Sequence, residues 1–145
     1  VEDPHNLGAI IRSADGAGAH GVIIHKYRAV GLTYGVAKAS AGAVEHVKVA
    51  RVSNISTAIQ KLKDRGLWVY GAHQDAAESC FNTDLTGKIA LVVGSEGRGI
   101  SPLVAKHCDR LVSIPMKGKM SSLNVSVAAG ILMYEVLRQR DARGI

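Results

Sequence analysis

Residues 91–138 read LVVGSEGRGISPLVAKHCDRLVSIPMKGKMSSLNVSVAAGILMYEVLR. The run Ile89–Val93 is continuously apolar and is stopped by Gly94, the pattern of a strand buried on both faces with its loop at the carboxyl end. Gly94, Gly97 and Gly99 follow in quick succession. Each glycine costs conformational entropy, so the cluster predicts a loop whose backbone shape matters, one that brings bare backbone close to a ligand. Arg110–Ile114 reads as another strand, ended by Pro115, which lacks a ladder donor. The loop Met116–Ser122 then delivers the chain to a long helix, with Ser121 or Ser122 as a suitable N-cap. Leu123, Val127, Gly130 or Ile131, Tyr134 and Leu137 or Arg138 recur at helical spacing and predict one buried face. Asn124 and Ser126 are polar exceptions in the first turn, which completing the cap would explain.

Upstream, Leu67–Ala72 reads as a strand, and Gln74–Lys88 as a polar connection with no regular period but room for a turn of helix. Asn54 caps an amphipathic helix with Ile55, Ala58, Ile59 and Leu62 on one face and Gln60, Lys61, Lys63 and Asp64 on a solvated one. Val47–Val52 and Gly21–Lys26 are further strands, and Thr33–Ser40 is a short helix. In the helix Leu7–Ala17 the apolar positions are Leu7, Ile10, Ile11 and Ala14, with Asn6 as N-cap and Gly16 or Gly18 near the end. Arg12, about two turns in, reads by itself as a surface arginine. Gly16, Gly18 and Gly21 satisfy G-x-G-x-x-G, but they follow a helix and open a strand, the reverse of a dinucleotide fingerprint. Strands alternating with helices predict an α/β fold, a parallel sheet covered on both faces. General rules make such a sheet unknotted.

The 145 residues suit one domain, 1–145, large enough to bury a core. With 47% hydrophobic but only 4% aromatic residues, Ala, Val, Ile and Leu must build it. No apolar run approaches the roughly 18 residues of a membrane span, and no signal sequence opens the chain, so a cytoplasmic protein is expected. Cys80 and Cys108 lack metal-ligand spacing, as do His5, His20, His25, His46, His73 and His107, so no metal is expected. The formal charge of +6 and pI of 9.6 favour an anionic partner, nucleic acid above all. Trp68, Phe81 and the tyrosines form no stacking platform, so RNA would be held mainly through phosphate and shape.

GSEGRGIS (Gly94–Ser101), IPMKGKMSSLNVSVAAGI (Ile114–Ile131) and DPHNLGAIIRSADGAGAHGVII (Asp3–Ile24) resemble the three signature motifs of the SpoU/TrmH family. These are ribose 2′-O-methyltransferases of the SPOUT superfamily. The motifs stand in the family's order and span nearly the whole chain. The wording is closest to the RlmB-type branch, which methylates a guanosine in 23S ribosomal RNA. Transfer RNA is the other acceptor that the resemblance allows.

The resemblance implies a C-terminal deep trefoil knot, against the general rule, and S-adenosylmethionine as cofactor. It implies cofactor binding by Gly94, Ile114, Met116 and Leu123, and a catalytic pocket of Asn6, Arg12, Glu96, Ser122 and Asn124. Asn6 and Arg12 match the family's Asn-x-Gly-x-x-x-Arg pattern. It also implies a homodimer through the knot region, in which Arg12 can serve the partner's cofactor. Family members usually carry a strand before the first motif, and RlmB-like ones an N-terminal RNA-binding domain. A chain opening on Val1 therefore reads as lacking both. Neutralising a guanidinium at pH 7 costs roughly 8 kcal/mol, so Arg12 is expected to position the hydroxyl and a neighbouring phosphate, with deprotonation late and shared. The rival readings are a non-catalytic RNA-binding paralogue, a Rossmann oxidoreductase and a P-loop enzyme. The latter two lack their glycine motifs, and the intact polar set speaks against the first.

Overall fold

The computed structural model describes residues 3–26, 34–95 and 98–145, so Thr33, Gly97 and the candidate Glu96 lie outside the described residues. In chain order the elements are α1 (Pro4–Ala17), β1 (Gly21–His25), α2 (Tyr34–Ala39), β2 (Lys48–Val52), α3 (Ile55–Asp64), β3 (Trp68–Ala72), β4 (Ile89–Val92), α4 (Pro102–His107), β5 (Arg110–Val112) and α5 (Val125–Ala142). Single 3-10 turns occupy Ala43–Glu45 and Cys80–Asn82, the latter inside the connection expected to hold a turn of helix. No helix among the described residues is long and apolar enough to cross a membrane.

The strands pair in parallel, β1 with β2 and β3 with both β4 and β5. The one sheet expected is therefore divided into a two-stranded and a three-stranded sheet, with no ladder between them among the described residues. Helices bridge the two. Leu7, Ile11 and Ala14 of α1 form a core with Ile24, Val36 and Val47, and Met133 of α5 packs against it. Tyr70, Cys80, Leu85 and Val112 form a second core with Leu132 of α5, joined by Val136. Alternation along β3 turns Tyr70 toward α5 and Gly71 to the opposite face, where a β-carbon at Gly71 would crowd Ile100, Cys108 and Leu111. Helix α3 packs on β3 and α4, so helices cover both faces of the three-stranded sheet.

Local capping explains the boundaries and corrects two expectations. Asp3, not Asn6, caps α1: its side chain accepts from His5 N, and Pro4 at the first helical position needs no N–H partner. Gly18 ends that helix at φ +76°, a left-handed conformation suited to glycine. Asn54 caps α3 as expected. Asn124, rather than Ser121 or Ser122, caps α5. The buried row of α5 is Val125, Ala129, Leu132 and Glu135, whereas Val127 and Tyr134 of the expected row are about half exposed. Strand β5 ends two residues before Ile114. Lys63 also leaves the expected solvated face, donating to the His107 carbonyl and pairing with Asp109 at 3.6 Å.

The carboxyl-terminal half of α5 fastens the connection between β3 and β4. Gln139 accepts from Leu85 N (2.7 Å) and donates to the Thr83 carbonyl (2.9 Å) and to Glu135 (2.7 Å), while Arg140 donates to the Gly87 carbonyl. Buried Glu135 also receives two bonds from the Arg138 guanidinium, at 2.7 and 2.9 Å. These Arg138 bonds, assisted by the Gln139 bond, hold its carboxyl below the usual carboxylate range despite burial. A depressed carboxyl stabilises the fold above its unfolded pKa, and that contribution is lost as pH falls through the folded value. Urea unfolding should show stability declining below about pH 4, with a shallower decline in Glu135→Gln. Parallel acid limbs in the two proteins would contradict the assignment.

Candidate functional site

The three strands of the larger sheet end, at their carboxyl ends, in loops around one cavity of about 350 Å³. Open parallel sheets bind ligands at this edge. Ala72–Asp75 follow β3, Val93–Ser95 with Arg98 and Gly99 follow β4, and Ile114 and Met116 follow β5. Ser121, Ser122 and Leu123 then close the cavity ahead of α5. The more enclosed lining, Val93, Val112, Ile114 and Val125, is apolar, and the exposed lining residues include Asp75, Arg98, Ser121 and Ser122.

Two turns give the cavity its shape. In the glycine loop Ser95 N donates to the Gly99 carbonyl (3.3 Å) and Gly99 N to the Ser95 carbonyl (3.1 Å), with Gly99 at φ +70°. A β-carbon at Gly94 would overlap the Gly99 and Ile100 backbone. The close approach that glycine permits here is thus made within the loop itself. After β3, His73 N donates to the Val112 carbonyl (2.9 Å) and Ala76 N to the His73 carbonyl (3.1 Å). Asp75 N donates to His73 Nδ1 at 3.1 Å.

All four residues assigned to the cofactor, Gly94, Ile114, Met116 and Leu123, line this cavity, together with Ser122. Asn124 sits between lining residues Leu123 and Val125, and its Nδ2 donates to Oδ1 of buried Asn6 at 3.0 Å. Its Oδ1 accepts from Ser126 N, Val127 N and the Ser126 hydroxyl. One side chain therefore both caps α5 and ties it to α1. Arg12 is not among the lining residues. It is exposed and forms neither a hydrogen bond nor an ion pair among the described residues. Sequence reasoning missed the wall Ala72–Asp75, whose signal was its place at the end of a parallel strand. It also missed Arg98.

The described residues contain no cluster of three or more His, Cys, Asp or Glu suited to a metal. Burial raises the pKa of both the Cys80 and Cys108 thiols, so neither is a ready thiolate.

Residues 1–134 match the SpoU rRNA Methylase family. The chain belongs to that family. It is 56% identical over 144 residues to YacO of Bacillus subtilis, whose name places it among TrmH family tRNA/rRNA methyltransferases, covering 99% of this chain and 58% of that protein. A similarly named protein of Staphylococcus aureus is 53% identical with the same coverage. The chain thus spans 58% of the length of these curated relatives. Among solved structures, the SpoU methyltransferase AviRb of Streptomyces viridochromogenes, in complex with the cofactor AdoMet, superposes with a TM-score of 0.91 at 33% identity, covering 97% of this chain and 58% of that one. The A. aeolicus TrmH/SpoU tRNA modifying enzyme gives 0.88 at 32% identity, covering 99% and 73%.

Asn124→Ala should lower the unfolding free energy by about 1–2 kcal/mol by removing the cap on α5, and Asn124→Ser should recover part of it. Equal losses in urea titrations of the two variants would show that the cap contributes nothing.

Proposed function

We propose that residues 1–145 form a catalytic domain that transfers a methyl group from S-adenosylmethionine to a ribose 2′-hydroxyl of RNA. A guanosine of 23S ribosomal RNA is the favoured acceptor, and transfer RNA is the alternative. The observation that carries this reading is the convergence of Gly94, Ile114, Met116, Ser122 and Leu123 on one cavity. Its volume lies within the roughly 300–1,000 Å³ usual for small-molecule sites. The chain's residues fit the cofactor: apolar Val93, Val112 and Ile114 suit a neutral adenine ring, and the bare backbone of Gly94 suits hydrogen bonding at its edge. Bound there, S-adenosylmethionine supplies an electrophilic sulfonium methyl.

The remaining tasks fall to the protein. Asn124, held to Asn6, fixes the start of α5 and with it the approach of Ser122 and Leu123. Glu96 is assigned to the same pocket by its motif position alone. Arg12, a planar fork of donors, holds the ribose hydroxyl and an adjacent phosphate. Its place outside the cavity of its own chain favours delivery from a second copy. Arg12 and Gly16 share a face of α1, and a β-carbon at Gly16 would meet the Tyr134 hydroxyl. On α5, Val127 and Tyr134 form a half-exposed stripe beside that face, suited to self-association. The homodimer and the C-terminal trefoil knot belong to the same reading. The net charge of +6 suits an RNA partner.

Calorimetric titration tests the cofactor reading: S-adenosylmethionine and S-adenosylhomocysteine should bind saturably and NAD should not. No adenosyl binding by folded protein would contradict it. Arg12→Lys should lower methyl transfer on the order of 100-fold and leave cofactor affinity unchanged, because a point charge cannot replace the fork. Turnover at the parent rate would refute positioning by Arg12.

A further inference from the structure

The geometry points to Asp75 and Arg98 as a subsite for the α-amino-acid end of the cofactor, the Asp75 carboxylate facing its ammonium and the Arg98 guanidinium its carboxylate. This rests on the cofactor reading and adds two residues that none of the motif assignments includes. Asp75 and Arg98 are the fully charged side chains lining the cavity among the described residues. The ion pairs of the described residues are Lys63–Asp109, Arg110–Glu78, Arg138–Glu135 and Arg143–Asp84, so neither group is neutralised by the other or by a third. One cavity therefore presents two opposite, separate charges. A phosphate would be repelled by Asp75 and a simple cation by Arg98, whereas a zwitterion satisfies both.

Both charges stand beside backbone hydrogen bonds. Asp75 is held by the bond from its N–H to His73 Nδ1, inside a turn closed from Ala76 N to the His73 carbonyl. Arg98 immediately precedes Gly99, whose backbone is bonded to Ser95 in both directions. Apart from His73, the rest of the lining is apolar or uncharged, which leaves the adenosine end to the Gly94 and Ile114 side. The two side chains are solvent-exposed, so their effect is moderate and salt-sensitive.

The test compares S-adenosylhomocysteine with 5′-methylthioadenosine, which keeps the adenosine and thioether and lacks the amino-acid end. By calorimetry the wild-type protein should prefer the former. Asp75→Asn and Arg98→Gln should each weaken S-adenosylhomocysteine about fivefold or more while leaving methylthioadenosine within about twofold, which also shows that the pocket is intact. Variants that bind S-adenosylhomocysteine as the wild type does, or that weaken both ligands equally, would overturn the subsite. Wild-type protein that binds neither ligand would overturn the cofactor reading itself, and the subsite with it.

Discussion

Helix α5 takes part in both cores of the molecule, and the site depends on that double membership. Met133 packs on the core built by α1, while Leu132 and Val136 pack on the core beneath the three-stranded sheet. The two sheets share no ladder among the described residues, so packing against α5 does what strand pairing would do in a single sheet. Its ends are fixed by polar contacts: Asn124 to Asn6 at the amino end, Gln139 and Arg140 to the β3–β4 connection at the other. Because Ser121, Ser122 and Leu123 immediately precede α5, the helix that joins the cores also sets one wall of the cavity.

Local signals carried much of the fold. The Asn54 cap and the strand positions lie where propensity and period put them, within one or two residues, because those features are decided by near neighbours. What failed was decided at long range. Ser121, Ser122 and Asn124 are all competent caps, and the bond to Asn6, 118 positions away, is part of what sets Asn124 apart from the others. Both rows of α5 carry apolar residues, and the row that is buried, which includes Glu135, meets α1 and the sheet through contacts that no periodicity reveals. Helix α4 buries no residue and so shows no amphipathic period, although Ser101 and Pro102 supply its cap and first position. The division into two sheets had no sequence signal.

The site was legible mainly through its motifs. They assign Gly94, Ile114, Met116, Ser122 and Leu123, which meet in one cavity, and Asn6 with Asn124, which meet each other. Arg12 was legible as a residue and not as a position: it is exposed and stands outside the cavity of its own chain. The wall Ala72–Asp75 lies outside the motifs and emerges only once β3 is seen to end there. The cavity itself supplies shape and apolar packing, and its charged edge supplies polarity, a division of labour suited to a ligand with a neutral ring and an ionic tail.

Methyl transfer to a ribose 2′-oxygen, as proposed, is tested by label transfer from methyl-labelled S-adenosylmethionine to ribosomal and transfer RNA, followed by alkaline hydrolysis. A methylated 2′-oxygen cannot attack its neighbouring phosphate, so the label should appear in alkali-stable dinucleotides. Label confined to mononucleotides would mean methylation of a base and would contradict it.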